Sequence, residues 1–148
     1  MSHPIEVLIL CTGNSCRSVM AEALLNHLGQ GRFKAYSAGS KPAGHVHAGA
    51  LATLKRHGIP AGTPASKSWD VFAHQPLDIV VTVCDSAAAE SCPVFLGTSG
   101  QKPRKLHWPT PDPAHAAGSP AEIVEAFDTA FFMLKTRIEH LIAETPAV

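Results

Sequence analysis

Val7-Leu8-Ile9-Leu10-Cys11-Thr12-Gly13-Asn14-Ser15-Cys16-Arg17-Ser18 passes from an unbroken apolar run into small polar residues. It leads directly into Val19-Met20-Ala21-Glu22-Ala23-Leu24-Leu25, whose apolar positions recur at helical spacing. Such a pattern describes a short buried strand, a tight loop and a helix. Cys11 stands where the strand ends, and Arg17 stands at the helix entry. A loop wrapped onto a helix N-terminus aims several backbone N–H groups at one spot and so makes an anion site. The same positive field favours the thiolate of a cysteine placed there. The guanidinium of Arg17 adds a planar fork able to hold a tetrahedral oxyanion at two points. One loop therefore supplies both a nucleophile and an oxyanion cradle.

The composition sets the frame for that loop. A chain of 148 residues with 45% apolar content is expected to form one domain, spanning 1–148, with a sizeable core. Twelve Lys plus Arg balance twelve Asp plus Glu, so no global field recruits nucleic acid or an anionic membrane. Any anion selectivity must be local. No apolar run reaches membrane-span length, and Met1-Ser2-His3-Pro4-Ile5-Glu6 lacks the features of a signal peptide, so a cytoplasmic protein is expected. Four cysteines in that setting point to catalytic or redox use rather than structural disulfides. His45 and His47 flank Val46 without a thiolate or carboxylate neighbour, so they are expected as polar loop residues, and no resident metal is expected.

Further along the chain, Gly29-Gln30-Gly31 breaks the first helix and Arg32 to Ser37 alternates as a strand. A helix is expected from His47 to His57, ended by Gly58-Ile59-Pro60, and Ser66 to Phe72 reads as a short capped helix with Trp69 and Phe72 in the core. Leu77 to Cys84 is the second continuous apolar run, the mark of a strand covered on both faces. Asp85 to Glu90 suits a helical turn, Thr98 to Gln101 a loop, and Arg104 to Trp108 a short strand. Ser119-Pro120-Ala121-Glu122 is a capping box that opens a helix to about Ala143, with Ile123, Val124, Phe127, Phe131, Leu134, Ile138 and Leu141 as its apolar stripe. Strands alternating with helices imply an α/β sandwich on a parallel sheet, whose ligands lie beyond the carboxyl ends of the strands. Cys11, Cys84 and the Asp112 loop all follow strands and can meet at that edge. An oxygen leaving group departing from an oxyanion attacked by Cys11 needs a proton, and Asp112, set between two prolines, is the candidate acid.

The Cys-x5-Arg-Ser loop resembles the phosphate-binding loop of the low-molecular-weight protein tyrosine phosphatases and of the arsenate reductases built on the same fold. Tyr36-Ser37-Ala38-Gly39-Ser40, Ser66-Lys67-Ser68-Trp69-Asp70, His107-Trp108 and Asp112-Pro113 extend the likeness over most of the chain. The resemblance implies a three-layer sandwich with a four-stranded parallel sheet. It also implies oxyanion binding by Thr12, Gly13, Asn14, Ser15, Cys16 and Ser18 with Arg17, and acid catalysis by Asp112. Val81 to Pro93 looks like the redox segment of the thioredoxin-fed arsenate reductases. In such enzymes Cys84 would displace arsenite from Cys11, and Cys92 would then take over the disulfide for an external thiol protein, thioredoxin or a glutaredoxin-like donor. No cofactor is bound in that scheme, and a monomer is expected.

Alternatives stay open at this level. Taken singly, Cys84 could be a small core residue and Cys92 an idle surface thiol. A phosphatase needs only Cys11, and a third reading is an anion-binding module without catalysis. The family's phosphatases carry tyrosines after the Asp-Pro, whereas Pro113-Ala114-His115-Ala116-Ala117-Gly118 follows here and Tyr36 is the only tyrosine. A small inorganic oxyanion needs no aromatic wall. Asn14, Glu22 and Ser37 match positions that surround a potassium ion in some members, but Lys67 falls near their acidic ligand and could substitute for the metal. The plainer reading has Asn14 bracing the loop and Glu22 on a solvated helix face.

Overall fold

The computed structural model describes residues 4–62, 64–83, 97, 102–113 and 117–145. Strands β1 (Ile5–Cys11), β2 (Phe33–Gly39), β3 (Ile79–Thr82) and β4 (Arg104–His107) form one sheet in the order β2-β1-β3-β4, and every neighbouring pair is parallel. Among the described residues the helices are α1 (Arg17–Leu28), α2 (Ala48–Arg56) and α3 (Pro120–Glu144), with a short 3-10 helix at Trp69–Phe72. This is the expected α/β architecture, built on a four-stranded parallel sheet.

The two inner strands are apolar without interruption because both of their faces are covered. Val7 to Leu10 are wholly buried, and Ile79, Val80 and Val81 nearly so. Alternation of side chains then divides the core. Val7, Ile9 and Val81 face α1, α2 and α3 in one cluster, while Leu8, Leu10 and Val80 meet Phe72, Leu77, Tyr36 and Trp69 in another. Helix α1 buries Val19, Met20, Ala21, Ala23, Leu24 and Leu25, more of its circumference than a surface helix does. It packs against the sheet, α2 and α3 at once, which holds its N-terminus rigidly beside the end of β1.

The capping box of α3 forms as expected: Ser119 Oγ accepts from the Glu122 N–H at 3.2 Å, and Glu122 Oε1 accepts from the Ser119 N–H at 3.2 Å. Its stripe needs one correction, since Val124 is 41% exposed and Ala130 takes the buried position. Trp69 is only partly buried, and Trp108 lies just beyond β4, where its N–H bonds Thr82 O at 2.8 Å. His47 is not a plain loop residue. It caps α2, with Nδ1 accepting from the Gly49 N–H at 2.9 Å and its ring 5.2 Å from that of Phe127. The expected turn at Asp85 to Glu90, the loop at Thr98 to Gln101, Cys84 and Cys92 lie outside the described residues. No described helix is long and apolar enough to cross a membrane.

Candidate active site

Register brings the end of β1 against the end of β2, pairing Cys11 with Gly39, and β1 delivers Cys11 to the entrance of α1. Cys11 is 3% exposed. Its Sγ lies 3.0 Å from Ser18 Oγ and receives the Asn14 N–H at 3.3 Å. Asn14 takes the left-handed backbone conformation, φ 46°, which asparagine tolerates better than most residues. Its side-chain amide has a defined orientation. The Lys67 N–H can only donate, at 2.8 Å, so the atom it meets is Asn14 Oδ1. Asn14 Nδ2 then donates to Ser18 Oγ at 2.9 Å. The proton of Ser18 is thereby left for Cys11, the arrangement that stabilises a thiolate.

The loop's peptide planes are turned by donors outside it. The N–H groups of Lys41, Ala43 and His47 donate to the carbonyls of Thr12, Gly13 and Ser15 at 3.0, 2.9 and 2.8 Å. Ser66 Oγ donates to Gly13 O at 3.1 Å as well. A carbonyl and the N–H of the next residue point in opposite directions across a planar peptide. With these carbonyls drawn outward, the amides of Gly13, Asn14 and Cys16 turn toward the loop's interior. The result is a concave nest of N–H groups at a helix N-terminus.

Across the mouth, Arg17 Nη1 donates to Thr110 O at 3.0 Å and Nη2 pairs with Asp112 Oδ2 at 3.3 Å. The thiol of Cys16 reaches Asp112 Oδ1 at 4.0 Å. Thr110 is itself pinned, its N–H bonding Val83 O at 3.0 Å and its hydroxyl donating to Trp108 O at 2.9 Å. Cys11, Thr12, Gly13, Ser15, Cys16, Arg17 and Asp112 enclose a cavity of about 280 Å³. It adjoins a second of about 380 Å³ lined by Arg17 and Pro109 to Asp112. Among the described residues neither lining contains an aromatic ring. A thiol, a nest of donors, a guanidinium and a carboxyl group thus surround a space suited to a small tetrahedral anion.

Asn14 and Ser18 lie beneath the thiol, fully buried, and act on Cys11 rather than on the cavity wall. Cys84 and Cys92 fall outside the described residues. The carbonyl-turning donors were not foreseen as site residues; the only trace of them in sequence is the Ser66-Lys67-Ser68 segment and the Gly-containing turn before His47. Glu22 is not on a solvated face. It accepts from Ser37 Oγ at 2.9 Å, and burial pushes its carboxyl above the usual range against the opposing pull of Lys67 and Ser37. Lys67 acts on that carboxyl through its charge while its ammonium donates to Ala65 O at 3.2 Å, and Asn14 Oδ1 accepts from the Lys67 N–H. Among the described residues no three His, Cys, Asp or Glu side chains gather as a metal site. A larger cavity, about 420 Å³, lies between α1 and the 60–64 turn, and among the described residues no thiol lines it.

Ser18→Ala should slow alkylation of Cys11 by iodoacetamide at neutral pH about ten- to a hundredfold, because a hydrogen bond to a charged group contributes about 1.5–3 kcal/mol. Peptide-level mass spectrometry measures this, and an unchanged rate would dismiss Ser18 as the thiolate's partner.

The family model for low molecular weight phosphotyrosine protein phosphatase matches residues 6–146. An arsenate reductase of Halalkalibacterium halodurans is 40% identical over 117 residues, covering 78% of this chain and 79% of that protein. A solved arsenate reductase in the phosphate-binding state superposes with a TM-score of 0.74 at 29% identity, covering 96% of this chain and 99% of that one. The thioredoxin-dependent arsenate reductase of Corynebacterium glutamicum superposes with a TM-score of 0.64 at 27% identity, over 95% of this chain and 64% of that one.

Proposed function

The chain belongs to the low molecular weight phosphotyrosine protein phosphatase family, and from that premise we propose that it is an arsenate reductase fed by a thiol protein. The observation that carries the reading is the small cavity floored by Cys11 and closed by Arg17 and Asp112, in a chain whose relatives are named arsenate reductases. The cavity's size and the absence of an aromatic ring among its described lining residues favour an inorganic oxyanion, with phosphate and sulfate as analogues, over an aryl phosphate.

The chemistry proceeds by thiol exchange. The Cys11 thiolate attacks arsenic(V), the loop amides and Arg17 hold the remaining oxygens, and Asp112 protonates the oxygen that leaves. Cys84 then attacks the Cys11 sulfur. The sulfur–arsenic bond breaks with its electron pair going to arsenic, so arsenite departs and a Cys11–Cys84 disulfide remains. Cys92 attacks Cys84, which frees Cys11 as thiolate and leaves Cys84–Cys92. An external dithiol, thioredoxin or a glutaredoxin-like protein, reduces that bond and completes the two-electron transfer. The thioredoxin-dependent relative supports this class of donor. The scheme uses no bound cofactor, nucleic acid or membrane, works in a monomer folded as one domain, and suits a reducing cytoplasm.

Arsenite formation with thioredoxin, thioredoxin reductase and NADPH tests the relay. Cys84→Ser is expected to abolish turnover, and Cys92→Ser to stop after one arsenite with Cys11–Cys84 trapped and visible by mass spectrometry. Turnover surviving both substitutions would reject it. Aryl-phosphate hydrolysis retained by Cys84→Ser, with no arsenate reduction, would assign a phosphatase instead.

A further inference from the structure

The peptide unit between Gly13 and Asn14 is gripped at both ends. Its N–H, that of Asn14, donates to Cys11 Sγ at 3.3 Å. Its carbonyl, that of Gly13, accepts twice, from the Ala43 N–H at 2.9 Å and from Ser66 Oγ at 3.1 Å. The direction of the Ser66 proton is fixed by its neighbours. The Gly44 N–H donates to Ser66 Oγ at 3.2 Å, and a carbonyl can only accept, so the Ser66 proton points at Gly13 O. Hydrogen bonds in series polarise one another. A carbonyl carrying two donors makes the N–H of the same peptide a stronger donor, and that N–H is aimed at the reactive sulfur.

We propose that Ser66 is a positioning residue that stabilises the Cys11 thiolate through the Gly13–Asn14 peptide. The assignment rests on Cys11 being the nucleophile. A purely structural role for Ser66, stapling the 43–44 turn to the anion loop, makes a different prediction. Removing the hydroxyl leaves Gly13 O still bonded to the Ala43 N–H, and the Gly44 N–H sits on an exposed bond that water can replace. Stability therefore changes little, whereas the field at the sulfur weakens.

The experiment follows iodoacetamide alkylation of Cys11 in the full chain from about pH 5 to about pH 9, with peptide-level mass spectrometry to separate the four cysteines. In Ser66→Ala the pH of half-maximal rate should move upward, with alkylation roughly two- to fivefold slower on the acid limb, since one bond in a polarised chain is lost. Ser66→Thr keeps the hydroxyl and should follow the unaltered protein. An alanine profile that superposes on the original, or one lowered equally at every pH, overturns the assignment. So does a threonine variant displaced as far as the alanine one. If Cys11 of the unaltered protein reacts no faster than free cysteine at acid pH, the nucleophile reading fails, a result read without any variant.

Discussion

Arg17→Lys is expected to lower kcat/KM for arsenate by about a hundredfold or more, with little change in melting temperature. Arg17 spans two acceptors at once, Thr110 O at 3.0 Å and Asp112 Oδ2 at 3.3 Å, while still lining the cavity over Cys11. Only a planar fork of donors reaches both points and an oxyanion together; an ammonium offers one charge on a flexible stem. Losing two charge-assisted bonds to the oxyanion in the transition state, at about 1.5–3 kcal/mol each, predicts a decrease of a hundredfold or beyond. The guanidinium is 12% exposed and its partners belong to a loop, so the core does not depend on it. Initial rates of arsenite formation decide the matter. A lysine variant within tenfold of the original would mean that positive charge alone suffices.

Gly39→Ala should cost both stability and anion binding, although the substitution lies in a strand whose backbone accepts alanine. A Cβ at Gly39 would collide with Thr12 O and stand 2.9 Å from Cys11 O and 3.1 Å from Asn14 Cβ. Two of these are backbone atoms of the anion loop and cannot swing aside. Forcing them apart costs about 1–3 kcal/mol as overpacking, and a shift near 1 Å in a binding loop can cost about a hundredfold in function. The Gly39 N–H also holds Lys67 O at 2.9 Å, so the displacement reaches the residue whose own N–H orients Asn14. Thermal melting and titration with inorganic phosphate test both parts. Unchanged phosphate affinity in the alanine variant would show that the loop tolerates the intrusion.

The strands and helices were readable because each carries its signal locally. Val7 to Cys11 is continuously apolar, and Ser119 to Glu122 closes its own cap. Boundaries moved only slightly, as at β2, which runs to Gly39 because pairing with β1 continues past Ser37. Val124 failed as a core residue for a different reason. It stands at the margin of the covered face, which runs through Ile123, Phe127, Ala130, Leu134, Ile138 and Leu141.

At the site, the identities of the reacting groups were legible and their supports were not. Cys11, Arg17 and Ser18 share one turn of chain, and Asp112 stands out between prolines, so residue type and position suffice to nominate them. What turns the loop's carbonyls outward comes from Lys41, Ala43, His47 and Ser66, mostly through backbone N–H groups that every non-proline residue possesses. A group common to nearly all residues leaves no mark in a sequence. The chain's own order of residues determined a strand, an anion loop, a helix and a reactive thiol. Only the packed fold decided which way each peptide faces, because that depends on donors brought from distant segments by the burial of α1 and the alignment of β2 beside β1.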